Sequence, residues 1–267
     1  MNDPHSGSGA DGGGAEPAGV RRQAAGRDDG GVERILVVYA TMTGTTRAMA
    51  EAVAAGVRSV DGADATLVEL EKGDEVAPDL MKAHHGLIIG SPMRHRNMDA
   101  RVKLFVEHVL EVLWLTDDMV GMTGGVFTVG GGVGDAGAGC DVAQVAMLAT
   151  MAANGMVLVP HPKTTPGFDH AGSHWGPAGR SGGPKMQPIL LTDAMLSAGF
   201  HHGANVARVT KALAPHAGHL FARGNQAPEP GLLAQFMGGS MPAREHAEAG
   251  FPSGAGFRTY PSAEVRA

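Results

Sequence analysis

Residues 41–46 read Thr-Met-Thr-Gly-Thr-Thr, which sets the hydroxyls of Thr41, Thr43, Thr45 and Thr46 around Gly44. No acidic residue lies between Ala40 and Ala50, so nothing in the stretch repels an anion. A turn entering a helix exposes unpaired backbone N–H groups at the positive end of the helix dipole, and hydroxyls beside them add donors. The chemistry this favours is the holding of a phosphate. It is not the nucleotide P-loop, which requires Gly, four residues, then Gly-Lys-Ser/Thr; no lysine is present, and one glycine does not make the dinucleotide fingerprint. A lysine-free cradle suits a phosphate monoester without Mg²⁺. The competing reading is a threonine-capped helix after a strand, which needs no ligand.

The elements around this turn decide between the two. Residues 35–39, apolar and rich in β-branched side chains, predict a buried strand. Ala48, Met49, Ala52, Val53, Gly56, Val57 and Val60 then recur at helical spacing, predicting a helix over 45–60. Further strands are expected at 65–70, 87–90, 124–129 and 156–159, the last closed by Pro160. Helices are expected at 99–115, 141–153 and 190–213, the last interrupted around 199–203, with a single helical turn at 79–83. Residues 161–185, rich in Pro, Gly and His, predict loop. Residues 1–33 carry almost no large apolar side chain and predict a disordered leader. Recurring Pro and Gly after Pro215 predict a loosely packed tail over 215–267, leaving 34–214 as the ordered domain.

Strands alternating with helices imply an α/β fold: a doubly wound five-stranded parallel sheet in the order 2-1-3-4-5, with helices on both faces. Ligands of such sheets sit beyond the carboxyl ends of the strands. Three loops fall there, 40–46, 91–98 and 129–139, and they are the least ordinary loops of the chain. That coincidence favours the phosphate cradle over the simple cap.

Composition narrows the partners. The net charge of −6 on 267 residues, without a Lys/Arg run, argues against nucleic acid or an anionic membrane surface as main partner. No apolar stretch is long enough to span a bilayer, and residues 1–17 lack the basic and apolar regions of a signal peptide. Cys140 is the only cysteine, so no intrachain disulfide is possible, which fits a reducing cytoplasm. Cys140 itself reads as a small buried side chain.

Thirteen His and fifteen Met raise the question of a metal. The adjacent pairs His84-His85 and His201-His202 point their rings apart. His161, His170 and His174 share a loop but meet no zinc spacing. No metal is expected, and these histidines read as polar loop and surface residues. Arg101 and Lys103 read as a solvated helix face. Asp135 reads as a turn residue, and Arg94 and Arg96 flank the expected cleft.

With these segments in hand, a family resemblance can be stated. Residues 41–46 resemble the flavodoxin phosphate signature, Thr/Ser-x-Thr-Gly-x-Thr. Residues 90–98, Gly-Ser-Pro-Met-Arg-His-Arg-Asn-Met, resemble the Gly-Thr-Pro-Thr-Arg-Phe-Gly-Asn-Met loop of WrbA-type NAD(P)H:quinone oxidoreductases. Leu113-Trp114, the Asn-Gly-Met-Val-Leu-Val-Pro run over 154–160 and the Gly-Ser-His-Trp-Gly run over 172–176 are similar to further segments of that family. The likeness covers roughly residues 35 to 213.

The resemblance implies a flavodoxin-like fold, non-covalent FMN, NADH or NADPH as electron donor, a quinone or similar small molecule as acceptor, and a homo-oligomer (a dimer, or the family's tetramer). In that reading Thr41, Met42, Thr43, Gly44, Thr45 and Thr46 surround the phosphate. Pro92, Met93, Arg94, His95 and Asn97 lie along the isoalloxazine edge. Thr128, Val129, Gly130, Gly131, Gly132, Val133 and Gly134 approach the ribityl chain and ring. Arg94 stabilises negative charge on the ring, favouring two-electron chemistry. His95 is a proton donor to the acceptor or an edge contact. Trp114 covers the pocket mouth from a neighbouring subunit, and Asn154 counts among the flavin-binding residues. The sequence departs from the family at His95 (usually Phe), Arg96 (usually Gly), Asn154 (usually His) and Thr43 (often aromatic). An FMN electron carrier or non-catalytic interaction module remains the alternative function.

Overall fold

The structure is a computed structural model, and it describes residues 31–73, 75–132, 138–185 and 187–222. The expected leader up to residue 30, the tail beyond residue 222, and Val133, Gly134 and Asp135 lie outside the described residues.

The first strand, β1 (Glu33–Tyr39), feeds helix α1 (Thr45–Arg58), and β2 (Ala63–Glu69) follows. Strand β1 pairs in parallel with β2 on one side and with β3 (Gly86–Pro92) on the other. The short helix α2 (Pro78–Lys82) connects β2 to β3. Strand β3 pairs with β4 (Thr123–Gly130), and β4 with β5 (Val157–Leu158). All of these pairs are parallel, in the order β2-β1-β3-β4-β5. The doubly wound order expected from the element pattern is present.

Strand alternation sorts the side chains into two cores. Leu36, Val38, Leu87 and Ile89 enter one; Ile35, Val37, Tyr39 and Ile88 enter the other. Helix α1 covers the second core with Met49, Ala50, Val53 and Val57. The first core is covered from the opposite side by α3 (Ala100–Phe105) and α4 (Glu111–Trp114) through Val102, Phe105 and Leu113. Helix α5 (Cys140–Ala153) adds Met147, Leu148 and Met151. The helix expected over 99–115 contains a π-helical turn, Val106–Leu110, between α3 and α4.

Three expectations are corrected. Residues 161–185 are not all loop: a short helix, α6 (Phe168–Ala171), is followed by β6 (Ala178–Arg180), which pairs in parallel with the far end of β4. The fifth sheet position is therefore divided. β5 meets Thr123 and Gly124, whereas β6 meets Thr128, Val129 and Gly130. The last long helix, α7 (Asp193–Leu213), is continuous through Gly199 and Gly203. Those glycines mark close contact with α1 rather than a break: a Cβ on Gly203 would lie 2.0 Å from the Val53 carbonyl oxygen, and one on Gly56 would lie 1.8 Å from that of Phe200. Thirdly, the chain beyond Pro215 does not lose regularity at once, since a 3₁₀ helix runs over Ala214–His219.

Candidate functional site

Three loops at the carboxyl edge of the sheet come straight off strands buried at that end. β1, β3 and β4 end at Tyr39, Pro92 and Gly130, and the residues that follow converge. In the first loop the backbone amide of Gly44 donates to Thr41 Oγ1 at 3.1 Å, which folds the turn back on itself. Gly44 adopts a left-handed conformation (φ 84°) as the residue before α1. No side chain caps this helix, and its first turn holds no acidic residue. The first intrahelical bond is Ala48 N to Gly44 O, so the amides of Thr45 and Thr46 open toward the turn without an intrahelical acceptor. Thr43 and Thr45 carry their hydroxyls 3.2 Å apart at the mouth, while the Thr46 side chain turns inward and is buried. The threonine-cap reading of the turn is thus excluded: the threonines flank an open helix end.

The second loop is a tight hairpin. Arg94 and Asn97 exchange backbone hydrogen bonds of 2.9 and 3.0 Å, and His95 (φ 47°) and Arg96 (φ 68°) form its tip in the left-handed region. A turn of this hand suits Asn-Gly, and a non-glycine residue there carries strain of about 1 kcal/mol or more. The hairpin is pinned at three points. Met93 N donates to Val129 O at 2.8 Å, Asp99 N donates to Ser91 Oγ at 2.8 Å, and Gly139 lies so close that a Cβ would meet the Arg96 backbone at 2.7 Å. Asn97 turns its side-chain oxygen back to accept from Met98 N at 2.8 Å. The guanidinium of Arg94 reaches across to the thioether of Met42 in the first loop. Between the two loops opens a cavity of about 810 Å³, lined by Met42, Arg94, Asn97, Met98, Arg101 and Lys103 among others.

The third loop is described at Gly131 and Gly132 and again from Ala138. Gly131 is exposed. Val129 is buried, and Thr128 is buried with its hydroxyl accepting from the Gln144 side-chain amide at 3.1 Å. The same Gln144 amide donates to the carbonyls of Gly176 and Pro177, fastening the segment before β6 against β4.

Trp114 and Asn154 lie elsewhere. They share a second cavity of about 360 Å³ with Glu111 and Thr150, at the ends of helices that run away from the carboxyl edge. Gly155 bonds to Gly121 just before β4 begins, which places Asn154 at the opposite edge of the sheet from residues 41–46. One chain by itself does not bring these two residues to the loop cluster. Cys140 is buried at the start of α5, in line with its reading as a packing residue.

Two residues central to this region escaped the sequence reading. Arg101 is not on a solvated face. Its guanidinium bonds Asp99 through two contacts of 2.7 and 3.0 Å, the Leu70 carbonyl at 3.2 Å and the Thr41 carbonyl at 3.1 Å. Asp99 is buried and also caps α3 by accepting from Arg101 N. Burial alone would raise the Asp99 carboxyl, but the hydrogen bonds and charge of Arg101, with a further contribution from Arg94, hold it below the usual carboxylate range. An Asp directly before a helix was a legible cap signal. The partnership with loops 31 and 60 residues away was not.

The reading of the histidines as loop and surface residues is corrected at four positions. His84 is buried and bonded to the Leu80 carbonyl and to Thr66. His85 is buried against Glu33 and the amide of Arg34. His161 and His202 are fully buried with ring centroids 5.2 Å apart, and His161 stacks on Phe168. Neither ring nitrogen of either residue has a hydrogen-bond partner. Burial, with the neighbouring His174 and His201, pushes His161 down to about 4, and burial beside His161 pushes His202 down to about 3. Among the described residues no three His, Cys, Asp or Glu side chains converge as a metal site would require.

Comparison with known proteins bears on the fold. Residues 37–144 match the model of the flavodoxin family, and the sheet order with its flanking helices is flavodoxin-like. A protein of Aquifex aeolicus named flavodoxin is 40% identical over 81 residues, 30% of this chain and 42% of that one. An NAD(P)H dehydrogenase (quinone) of Geobacter sulfurreducens is 36% identical over 115 residues, 35% of this chain and 56% of its own length. The chain thus spans about half the length of these two relatives. An NAD(P)H dehydrogenase (quinone) of Trichlorobacter lovleyi is 29% identical over 208 residues, covering 68% of this chain and 99% of the relative. Among solved structures, a WrbA-like flavodoxin from Agrobacterium tumefaciens superposes with a TM-score of 0.51 at 20% identity, over 68% of this chain and 99% of the other. The chain has a flavodoxin-like fold, and two proteins to which it is similar bear the name NAD(P)H dehydrogenase (quinone).

Proposed function

We propose that this chain is an FMN-dependent oxidoreductase that passes two electrons from NADH or NADPH to a quinone or a similar small acceptor. The observation that carries the reading is the open, acid-free N-terminus of α1 at the carboxyl edge of the sheet, beside the 94–97 hairpin. A phosphate fits there: two amides, the Thr43 and Thr45 hydroxyls and the helix dipole all favour an anion. FMN, once bound, supplies the two-electron chemistry. The chain supplies the rest. Thr41 and Gly44 shape the phosphate turn, and Arg94 brings a positive charge to the hairpin side of the site. His95 presents an imidazole at the hairpin tip, and the backbone of Gly130, Gly131 and Gly132 allows close approach. The names of the Geobacter and Trichlorobacter relatives support the donor and acceptor classes.

We assign the FMN-binding domain to residues 34–214, between a leader and a tail, and place the protein in the cytoplasm on the ground of its single cysteine. No helix among the described residues is long and apolar enough to cross a membrane. The exposure of Trp114, Val142 and Val145 supports a homo-oligomer in which Trp114 reaches a neighbour's site. The Aquifex relative's name supports the alternative, an electron carrier. Titration with FMN, followed by anaerobic NADH or NADPH, separates the readings. Flavin binding with bleaching by either nucleotide is expected; bound flavin that neither nucleotide bleaches refutes the reductase and leaves the carrier. Absence of any flavin binding refutes both.

A further inference from the structure

We infer that Arg101 is a positioning residue for phosphate binding: its side chain fixes the backbone of the 41–46 turn by tying Thr41 to Asp99 and Leu70. The inference rests on the FMN reading above. Four hydrogen bonds leave one guanidinium, two to the Asp99 carboxylate at 2.7 and 3.0 Å, one to the Leu70 carbonyl at 3.2 Å and one to the Thr41 carbonyl at 3.1 Å. These acceptors belong to three separate pieces of chain: the cap of α3, the residue that follows β2 and the first residue of the phosphate turn. The planar fork of an arginine can serve such divergent acceptors, whereas a lysine ammonium presents a single point.

The consequence for the turn follows from peptide geometry. A peptide unit is planar and trans, so its C=O and the next N–H point in opposite directions. Holding the Thr41 carbonyl on Arg101 therefore directs the Met42 N–H away from Arg101. The Thr41 hydroxyl is engaged at the same time by Gly44 N at 3.1 Å. The carbonyl and hydroxyl oxygens of Thr41 are thus both engaged, and the path into the open end of α1 is set before any anion arrives. Asp99 is the anchor of this arrangement. It is buried and caps α3, and its backbone N–H donates to Ser91 Oγ at 2.8 Å at the base of the hairpin. One ion pair therefore couples the phosphate turn to the loop that carries Arg94 and His95.

A role confined to the turn makes a specific demand. Loss of the fork must weaken the ligand that carries a phosphate and spare the same ring system without one. The experiment compares FMN with riboflavin, by fluorescence titration, in the full-length wild type and in Arg101→Lys and Arg101→Gln. Arg101→Lys keeps a positive charge beside Asp99, so it guards against loss of folding, which circular dichroism and thermal melting monitor. The expected result is an FMN affinity lowered about 10- to 100-fold, the worth of a charge-assisted hydrogen bond, with riboflavin affinity unchanged and the melting temperature of Arg101→Lys near that of wild type. Equal loss for both flavins, or no loss for either, overturns the inference while leaving FMN binding by the wild type in place. Wild type that binds neither flavin overturns the FMN reading and the inference with it.

Discussion

Acid should destabilise this protein well above the range in which carboxylates titrate, through His161 and His202. Both imidazoles are fully buried, touch each other, and have no hydrogen-bond partner at any ring nitrogen. In the unfolded chain each titrates near 6.5; in the fold they are pushed down to about 4 and about 3. Above pH 6.5 both are neutral in both states and their stability contribution is complete. As pH falls below 6.5 the unfolded chain takes up protons that the folded one refuses, so stability declines until the folded values are reached. Each group costs about 1.4 kcal/mol per pH unit in that window. Over two units the pair removes several kcal/mol, a large part of the roughly 5–15 kcal/mol that holds a domain together. The assay is urea denaturation followed by circular dichroism at pH values from 8 to 4.5, on wild type and His202→Met. The variant should lose about half of the pH slope. Near pH 8 it should equal or exceed wild type by about 1 kcal/mol, because two orphaned nitrogens are removed. Identical slopes for the two proteins would refute the reasoning and show that the pair is charged or solvated in the fold.

Other perturbations test the rest of the structure. Thr43→Val with Thr45→Val should weaken FMN binding by about 1–3 kcal/mol without lowering the melting temperature, since both hydroxyls sit at the mouth of the turn. Arg96→Gly should stabilise the protein by about 1 kcal/mol in urea denaturation, by relieving a non-glycine residue at φ 68°. Gly203→Ala should destabilise by roughly 2 kcal/mol or more in the same measurement, because its Cβ would meet the Val53 carbonyl at 2.0 Å and force α1 and α7 apart. No loss of stability would mean that the two helices slide freely past each other.

What the chain announces by itself is what depends on neighbours in sequence. The β-branched run of β1, the helical spacing of α1 and the strand–helix alternation state the parallel sheet and its order. Three unusual loops at one sheet edge mark the place where we propose the ligand. The resemblance of residues 41–46 and 90–98 then supplies the name of a family. The divided fifth strand was not legible, since a two-residue β5 and a three-residue β6 are too short for any period to show. Nor were the glycines of α7, because a gap in the pattern and a close helix contact look alike until the second helix is in place. Arg101 and the His161–His202 pair make the same point more sharply. A side chain's partners across 31, 41 or 60 residues are set by how the sheet stacks its loops and helices, and by burial that only packing creates. Local sequence identifies the open helix end as fit for a phosphate; the tertiary fold decides which arginine holds that end in shape and which histidines are kept neutral.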